Sequence, residues 1–298
     1  MKVLTFGALN IDYVYTVDHF VMKGETQSAE ELNVYAGGKG LNQSVALARA
    51  GIEVYHAGAI GKDGIFLMNL LSESGVNTDY VKVCDDIRSG NAIIQNDKDG
   101  DNCILLYGGA NQSIEKSQIE EVFSHFTEQD YLLIQNEINN LPYIVECAKK
   151  KGMKVILNPS PMNEKVLQLP LWQIDYFILN EVEAFQLIGA ECKEDFDGKR
   201  LAEQLWKKYP CEGIVLTMGG KGSIYIDSVE YVEQPSYKVK VVDTTAAGDT
   251  FTGYFLEGIL SGKSKIDSMA TAAKAAAIAV SREGAAPAIP DKEEVNHF

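Results

Sequence analysis

What most constrains the fold is a series of short apolar segments, residues 131–135, 154–157, 176–179 and 214–217, each followed at once by polar or glycine-rich residues. Helical stretches alternate with these strand-length runs, the pattern of a parallel sheet covered by helices. The residues that close them are Asn136-Glu137, Asn158-Pro159-Ser160-Pro161, Asn180-Glu181-Val182-Glu183 and Met218-Gly219-Gly220-Lys221-Gly222. Open parallel sheets bind ligands beyond the carboxyl ends of their strands, so these ends are expected to share one functional edge. The amino-terminal half extends the pattern with a first strand at 2–6, strands at 54–60 and 80–83, and between them a helix begun by Asp63 and ended near Gly75. With 298 residues and no repeat or low-complexity linker, the chain reads as a single α/β domain over 1–298.

Two pairs of segments interrupt this alternation. Residues 13–17 and 31–35 alternate like half-buried strands, and 91–95 and 102–106 flank the turn Asp97-Lys98-Asp99-Gly100-Asp101. Together they predict a small β-sheet, inserted at about 12–36 and 89–108, that lies over a site as a lid with Ile93 and Ile94 as apolar walls. The turn is no calcium loop, because its glycine is misplaced and no distal Glu follows in register.

The stretch Val241-Val242-Asp243-Thr244-Thr245-Ala246-Ala247-Gly248-Asp249-Thr250-Phe251 reads as an extended segment turning into a helix, since Phe251, Phe255 and Ile259 recur at helical spacing. Ala246 to Asp249 then sit at a helix N-terminus, where N–H groups lack partners and small side chains admit an anion. Asp249 has two readings there: a helix cap, or a base that takes the proton of a hydroxyl attacking a phosphoryl group. Asn10 and Asp12, two apart after the first strand, read as an Asx turn or as a pair for vicinal hydroxyls. Ala36-Gly37-Gly38-Lys39-Gly40-Leu41-Asn42-Gln43 opens a helix through three glycines. It is not a Walker A loop, because Gly40 rather than Ser or Thr follows Lys39.

The formal net charge of −15 argues against a nucleic-acid partner and requires any anionic substrate to be held locally. No apolar run reaches membrane-spanning length, and residues 1–7 read as a strand rather than a signal peptide, so a cytoplasmic location is expected. The five scattered cysteines read as reduced thiols, and the four histidines show no metal-ligand spacing. A dinucleotide fold needs G-x-G-x-x-G after the first strand, where this chain has Gly7-Ala8-Leu9-Asn10.

Asn10-Ile11-Asp12, Gly37-Gly38-Lys39-Gly40 with Asn42, Asn180 with Glu183, and Asp243-Thr244-Thr245-Ala246-Ala247-Gly248-Asp249 together resemble the ribokinase-like sugar kinases of the phosphofructokinase-B type, in the same order from Gly7 to Pro290. The resemblance implies a three-layer α/β/α sandwich with a central, mostly parallel sheet and a small β lid. It implies ATP as donor and the 5-hydroxyl of D-ribose as acceptor, with another furanose or ketose sugar, or a nucleoside, as the alternative. Residue roles come with it. Asp249 becomes the base, and Ala246, Ala247 and Gly248 offer N–H groups to the transferring phosphate. Asn10, Asp12, Gly38, Lys39, Asn42 and Glu137 match positions that contact sugar hydroxyls. Asn180 and Glu183 help place Mg²⁺ and the triphosphate, and Thr217, Gly219, Gly220 and Gly222 lie along the nucleotide. Asp243 and the carbonyls of Thr245, Ala279, Arg282 and Gly284 match a monovalent cation site for K⁺. Two positions depart from the family pattern: Ala246 stands where many members have Gly, and Ala288 where they often have Ser. The resemblance also implies a homodimer assembled through the lid.

Overall fold

The computed structural model describes residues 1–99, 101–192 and 195–298; Gly100 of the expected turn lies outside them. The chain begins with β1 (Val3–Phe6), β2 (Asn10–Thr16) and β3 (Glu31–Gly37), followed by α1 (Lys39–Ala50), β4 (Val54–Gly61), α2 (Ile65–Glu73) and β5 (Asn77–Cys84). A second excursion, β6 (Gly90–Asn96) and β7 (Asn102–Tyr107), precedes α3 (Lys116–Ser124), β8 (Tyr131–Gln135) and α4 (Leu141–Lys150). Then come β9 (Lys154–Asn158), β10 (Tyr176–Asn180), α5 (Glu181–Ile188), α6 (Gly198–Lys208) and β11 (Gly213–Thr217). The chain ends with β12 (Ser223–Ile226), β13 (Tyr231–Gln234), α7 (Ala247–Leu260), α8 (Lys265–Val280) and α9 (Lys292–His297).

The large sheet runs β13-β12-β11-β10-β9-β8-β1-β4-β5. From β11 to β5 all neighbours are parallel, and the hairpin β12–β13 adds an antiparallel edge. Side chains alternate across a strand, so each strand feeds two cores. Leu132 and Ile134 of β8 pack with α3, α4, α5 and α6, while Leu133 packs on the opposite face with α1, α2, α7 and α8. A sheet covered on both faces needs near-continuous apolar strands, which is why the runs at 131–135 and 176–179 were so plain. The result is the expected α/β sandwich.

The small sheet runs β3-β2-β6-β7. Its two antiparallel pairs join through a parallel β2–β6 contact, so the two excursions form one surface. No helix among the described residues is long and apolar enough to cross a membrane.

Three details differ from the sequence reading. Residues 241–246 form no strand; the N–H groups of Val242 and Asp243 both donate to the Val280 carbonyl at the end of α8. Asp63 does not begin a helix with its side chain, because its carboxylate accepts from the N–H and hydroxyl of Ser89 at 2.9 and 2.8 Å. The hairpin β12–β13 had no reading at all.

Candidate active site

Strand order reverses at β1: the chain moves outward through β4 to β5, then returns to β8 and continues toward the opposite edge. Ligands of open α/β sheets sit at such a reversal, beyond the carboxyl ends of the strands. There a cleft of about 1180 Å³ opens between that edge and the small sheet. Register puts Asp12 opposite Tyr35 and Ala92, and Ala92 opposite Leu106, so these side chains share the face that lines the cleft. Ile94 lies on that face as well. Ile93 does not, because strand neighbours point to opposite sides; it faces away and is 37% exposed.

At the α1 end, Asn10 forms no Asx turn. It begins β2, and its Oδ1 accepts from Nδ2 of Asn111 at 2.7 Å. Asn111, which is buried, also accepts from the Leu9 N–H at 3.1 Å and donates to the Leu9 carbonyl at 3.2 Å. That fixes the Asn10 amide with Nδ2 as its remaining donor. Asp12 follows two residues later, and burial pushes its carboxyl up to about 6. A Cβ on Gly37 would lie 2.0 Å from Asp12 Oδ2, so only glycine leaves room for that carboxylate. Gly38, at φ +97, turns the chain into α1 in a conformation that other residues rarely adopt.

The Lys39 N–H donates to Glu137 Oε2 at 2.8 Å, tying the start of α1 to the end of β8. Burial pushes the Glu137 carboxyl up to about 7; the Lys39 charge and N–H oppose this, while Asp249 and Asp12 add to it. For Lys39, burial alone would lower the ammonium, but the carboxylates of Asp249, Glu137 and Glu183 outweigh it and hold it above the ordinary lysine value. One cation thereby serves three carboxylates in an acidic protein.

Asp249 occupies the third position of α7, and its side chain caps nothing. Its carboxylate is 6% exposed and accepts from Asn42 Nδ2 at 3.1 Å on Oδ2 and from Gln43 Nε2 at 2.8 Å on Oδ1. The helix cap reading therefore falls. Ala246 turns into α7 through the left-handed region at φ +58, and its carbonyl accepts from the Thr250 N–H. Ala247 donates to the Thr244 carbonyl at 3.3 Å, and the N–H groups of Gly248 and Asp249 belong to the helix's first turn, where the dipole is positive.

At the β11 end, Asn180 and Glu183 form a capping box on α5, through Asn180 Oδ1 and Glu183 Oε2, and both also line the cleft. Thr217, last in β11, lines it too and donates to the Leu179 carbonyl at 3.4 Å. Gly219, Gly220 and Gly222 follow at the same edge but are not part of the cleft wall. Asp243 accepts from the Thr245 N–H and hydroxyl and from the Gly284 N–H. Burial would raise its carboxyl, yet these bonds hold it below the usual carboxylate range. Asp243, Thr245 and Gly284 line the cleft, whereas Ala279 and Arg282 are not part of its wall, and the Ala279 carbonyl accepts from the Arg282 N–H at 3.1 Å. Ala288 is buried, its N–H donating to the Ala285 carbonyl at 3.1 Å.

The sequence profile of the pfkB family carbohydrate kinases matches residues 1–292. The chain belongs to that family. This pfkB family kinase is 33% identical over 305 residues to a ribokinase of Haemophilus influenzae, covering 100% of this chain and 98% of that one. A ribokinase of Cryptococcus neoformans solved in complex with ADP superposes with a TM-score of 0.86 at 34% identity, over 99% of both chains. The ribokinase of Arabidopsis thaliana solved with ribose and ATP gives 0.85 at 30% identity, over 99% of this chain and 97% of that one.

Three residues of the kinase's site escaped the sequence reading: Asn111, Gln43 and Gln135. Asn111 lies in a short turn about a hundred positions from its partner, and nothing local marks it. Gln43 follows Asn42 in the glycine-rich opening of α1, and Gln135 ends an apolar strand, so a buried amide at a strand end was the one available signal.

Proposed function

We propose that this kinase transfers the γ-phosphoryl group of ATP to the 5-hydroxyl of D-ribose, giving D-ribose 5-phosphate and ADP, with Asp249 as the base. The observation that carries it is the Asp249 carboxylate, buried at the first turn of α7, held by two amides, in a cleft shared with Asn10, Asp12 and Glu137. Likeness to ribokinases along the whole chain supports ribose as acceptor.

Asn10, Asp12, Gly38, Lys39, Asn42 and Glu137 hold the sugar hydroxyls, and their dense mix of donors and acceptors suits a pentose. Asp249 takes the proton as the hydroxyl oxygen attacks. The main chain from Ala246 through Ala247 to Gly248, with the α7 dipole, stabilises charge on the transferring group. The small sheet over the cleft keeps out water, which otherwise competes as acceptor. Asn180, Glu183 and Thr217, with the glycines at 219, 220 and 222, take the nucleotide.

No group of three or more His, Cys, Asp or Glu among the described residues could hold a metal ion. Asn180 and Glu183, which line the cleft, are oxygen donors that suit a Mg²⁺ held mainly by the triphosphate, where it offsets phosphate charge. Asp243 and the carbonyls of Thr245, Ala279, Arg282 and Gly284 offer oxygens alone, with one ionised carboxylate, which fits a monovalent cation such as K⁺. We assign a homodimer through the small sheet, supported by its edge strand β7, where Leu105 and Tyr107, on the face away from the cleft, are 66% and 55% exposed. A cytoplasmic location suits a reaction that consumes ATP.

The test is ADP release from ATP and Mg²⁺ with D-ribose, fructose or adenosine, each in K⁺ or Na⁺. Ribose is expected to give the highest turnover, raised by K⁺. No turnover with ribose beside turnover with another acceptor overturns the ribose assignment.

A further inference from the structure

We infer that Gln43 is a positioning residue for the base, and that Gln135 reinforces the direction in which the Gln43 amide faces. The inference rests on the reading of Asp249 as the base.

A carboxylate on one Cβ rotates about its last bond unless both oxygens are held. Here each oxygen has one amide N–H: Asn42 on Oδ2 and Gln43 on Oδ1. A carboxylate has about four lone-pair sites, so the remaining ones stay available for a substrate hydroxyl. Asn42 lines the cleft and is itself a sugar ligand in the proposed function; Gln43 lies behind it, fully buried, and touches no cleft surface.

An amide is symmetric in shape but not in chemistry. With Oε1 turned toward Asp249, Gln43 would set two acceptors face to face. The acceptor-only carboxylate takes the Gln43 Nε2, and Gln135 reinforces that direction: its Nε2 donates to Gln43 Oε1 at 2.6 Å, while its own Oε1 is buried without a partner among the described residues. Gln135 ends β8, fully buried, and pairs with Asn158 of the parallel neighbour β9, one residue past the last β1 pair, Phe6 with Ile134. A donor at the rigid sheet edge is thereby relayed through one amide to the base.

Replacing either glutamine by Met keeps length and removes the relay. For Q43M, kcat is expected to fall roughly 10- to 100-fold, the loss typical of a slightly misplaced reacting group, with KM for ribose and ATP within about twofold. Q135M is expected to fall less, and Q43M/Q135M to be no slower than Q43M, because Gln135 acts only through Gln43. Q43E adds a readout that packing alone does not move. Its protonated carboxyl donates to Asp249 whereas its carboxylate repels it, so its deficit against wild type should shrink from pH 8 to pH 6. Wild-type kcat in Q43M, or a double variant slower by the product of the single effects, overturns the inference. If a Met variant fails to fold, the Q43E pH profile decides, a constant deficit counting against it. Asp249→Asn separates the two readings: full activity there removes the base itself, whereas a dead Asp249→Asn beside a normal Q43M removes only the relay.

Discussion

At the α1 end of the cleft, side chains are held by other side chains and by main chain: Asn10 by Asn111, Glu137 by the Lys39 N–H, and Asp249 by Asn42 and Gln43. At the β11 end Asn180, Glu183 and Thr217 bond to the adjacent helix and strand ends, and beyond them the glycines at 219, 220 and 222 leave the edge bare, so that a Cβ on Gly220 would meet nothing within 4 Å. The first end is set before a ligand arrives, and the second is open. A small acceptor must be oriented to within a fraction of an ångström for in-line attack, whereas a nucleotide brings enough surface to be located by shape and main chain. The one buried cation, Lys39, stands at the α1 end with Asp12, Glu137 and Asp249, while Glu183 and Asp243 line the cleft toward the β11 end.

The difference can be broken from either side. The largest effect belongs to Asp249→Asn, expected to lower kcat roughly 10²- to 10⁴-fold, as loss of a general base does, with KM for both substrates little changed in steady-state assays. Next is Gly37→Ala, whose Cβ would meet Asp12 at 2.0 Å. Displacing that acceptor is expected to raise KM for ribose roughly 10- to 100-fold, the worth of a hydrogen bond to a charged group, and to leave KM for ATP alone.

A pH series sharpens the contrast further. Burial raises Asp12 to about 6 and Glu137 to about 7, so both are ionised above pH 7 and gain protons as pH falls below it. The ionised forms accept hydroxyl protons. Ribose affinity is therefore expected to be full near pH 8 and to weaken roughly tenfold toward pH 5.5, read by calorimetry, while Asp12→Asn keeps only the fall near pH 7. The smallest effect is expected from Gly220→Ala, which adds a methyl in open space and should change kcat and KM for ATP by less than about twofold.

Much of this arrangement is legible in the sequence, for a physical reason. Buried parallel strands must be apolar, so the polar residues that end them stand out, and Glu137, Asn180 and Thr217 were found that way. Phe251, Phe255 and Ile259 betrayed α7 through their spacing, and with it the position of Asp249. What stayed hidden depends on partners far along the chain. Asn10 and Asp12 offered a turn reading because nothing nearby revealed Asn111, and Asp63 looked like a helix start because Ser89, 26 positions later, was not visible as its partner. Ile93 and Ile94 were read together because alternation fixes opposite faces but not which face meets the cleft. The segment 241–246 looked extended, yet its N–H groups turn to the end of α8, a contact without any local signature.

The most direct measurement is the position of the phosphate in the product, read by proton-coupled phosphorus NMR after ATP, Mg²⁺ and D-ribose are incubated with the enzyme. Transfer to the 5-hydroxyl predicts a phosphomonoester resonance split into a triplet by the two C5 protons. A doublet from a phosphate on C1, C2 or C3, or inorganic phosphate alone, would contradict it.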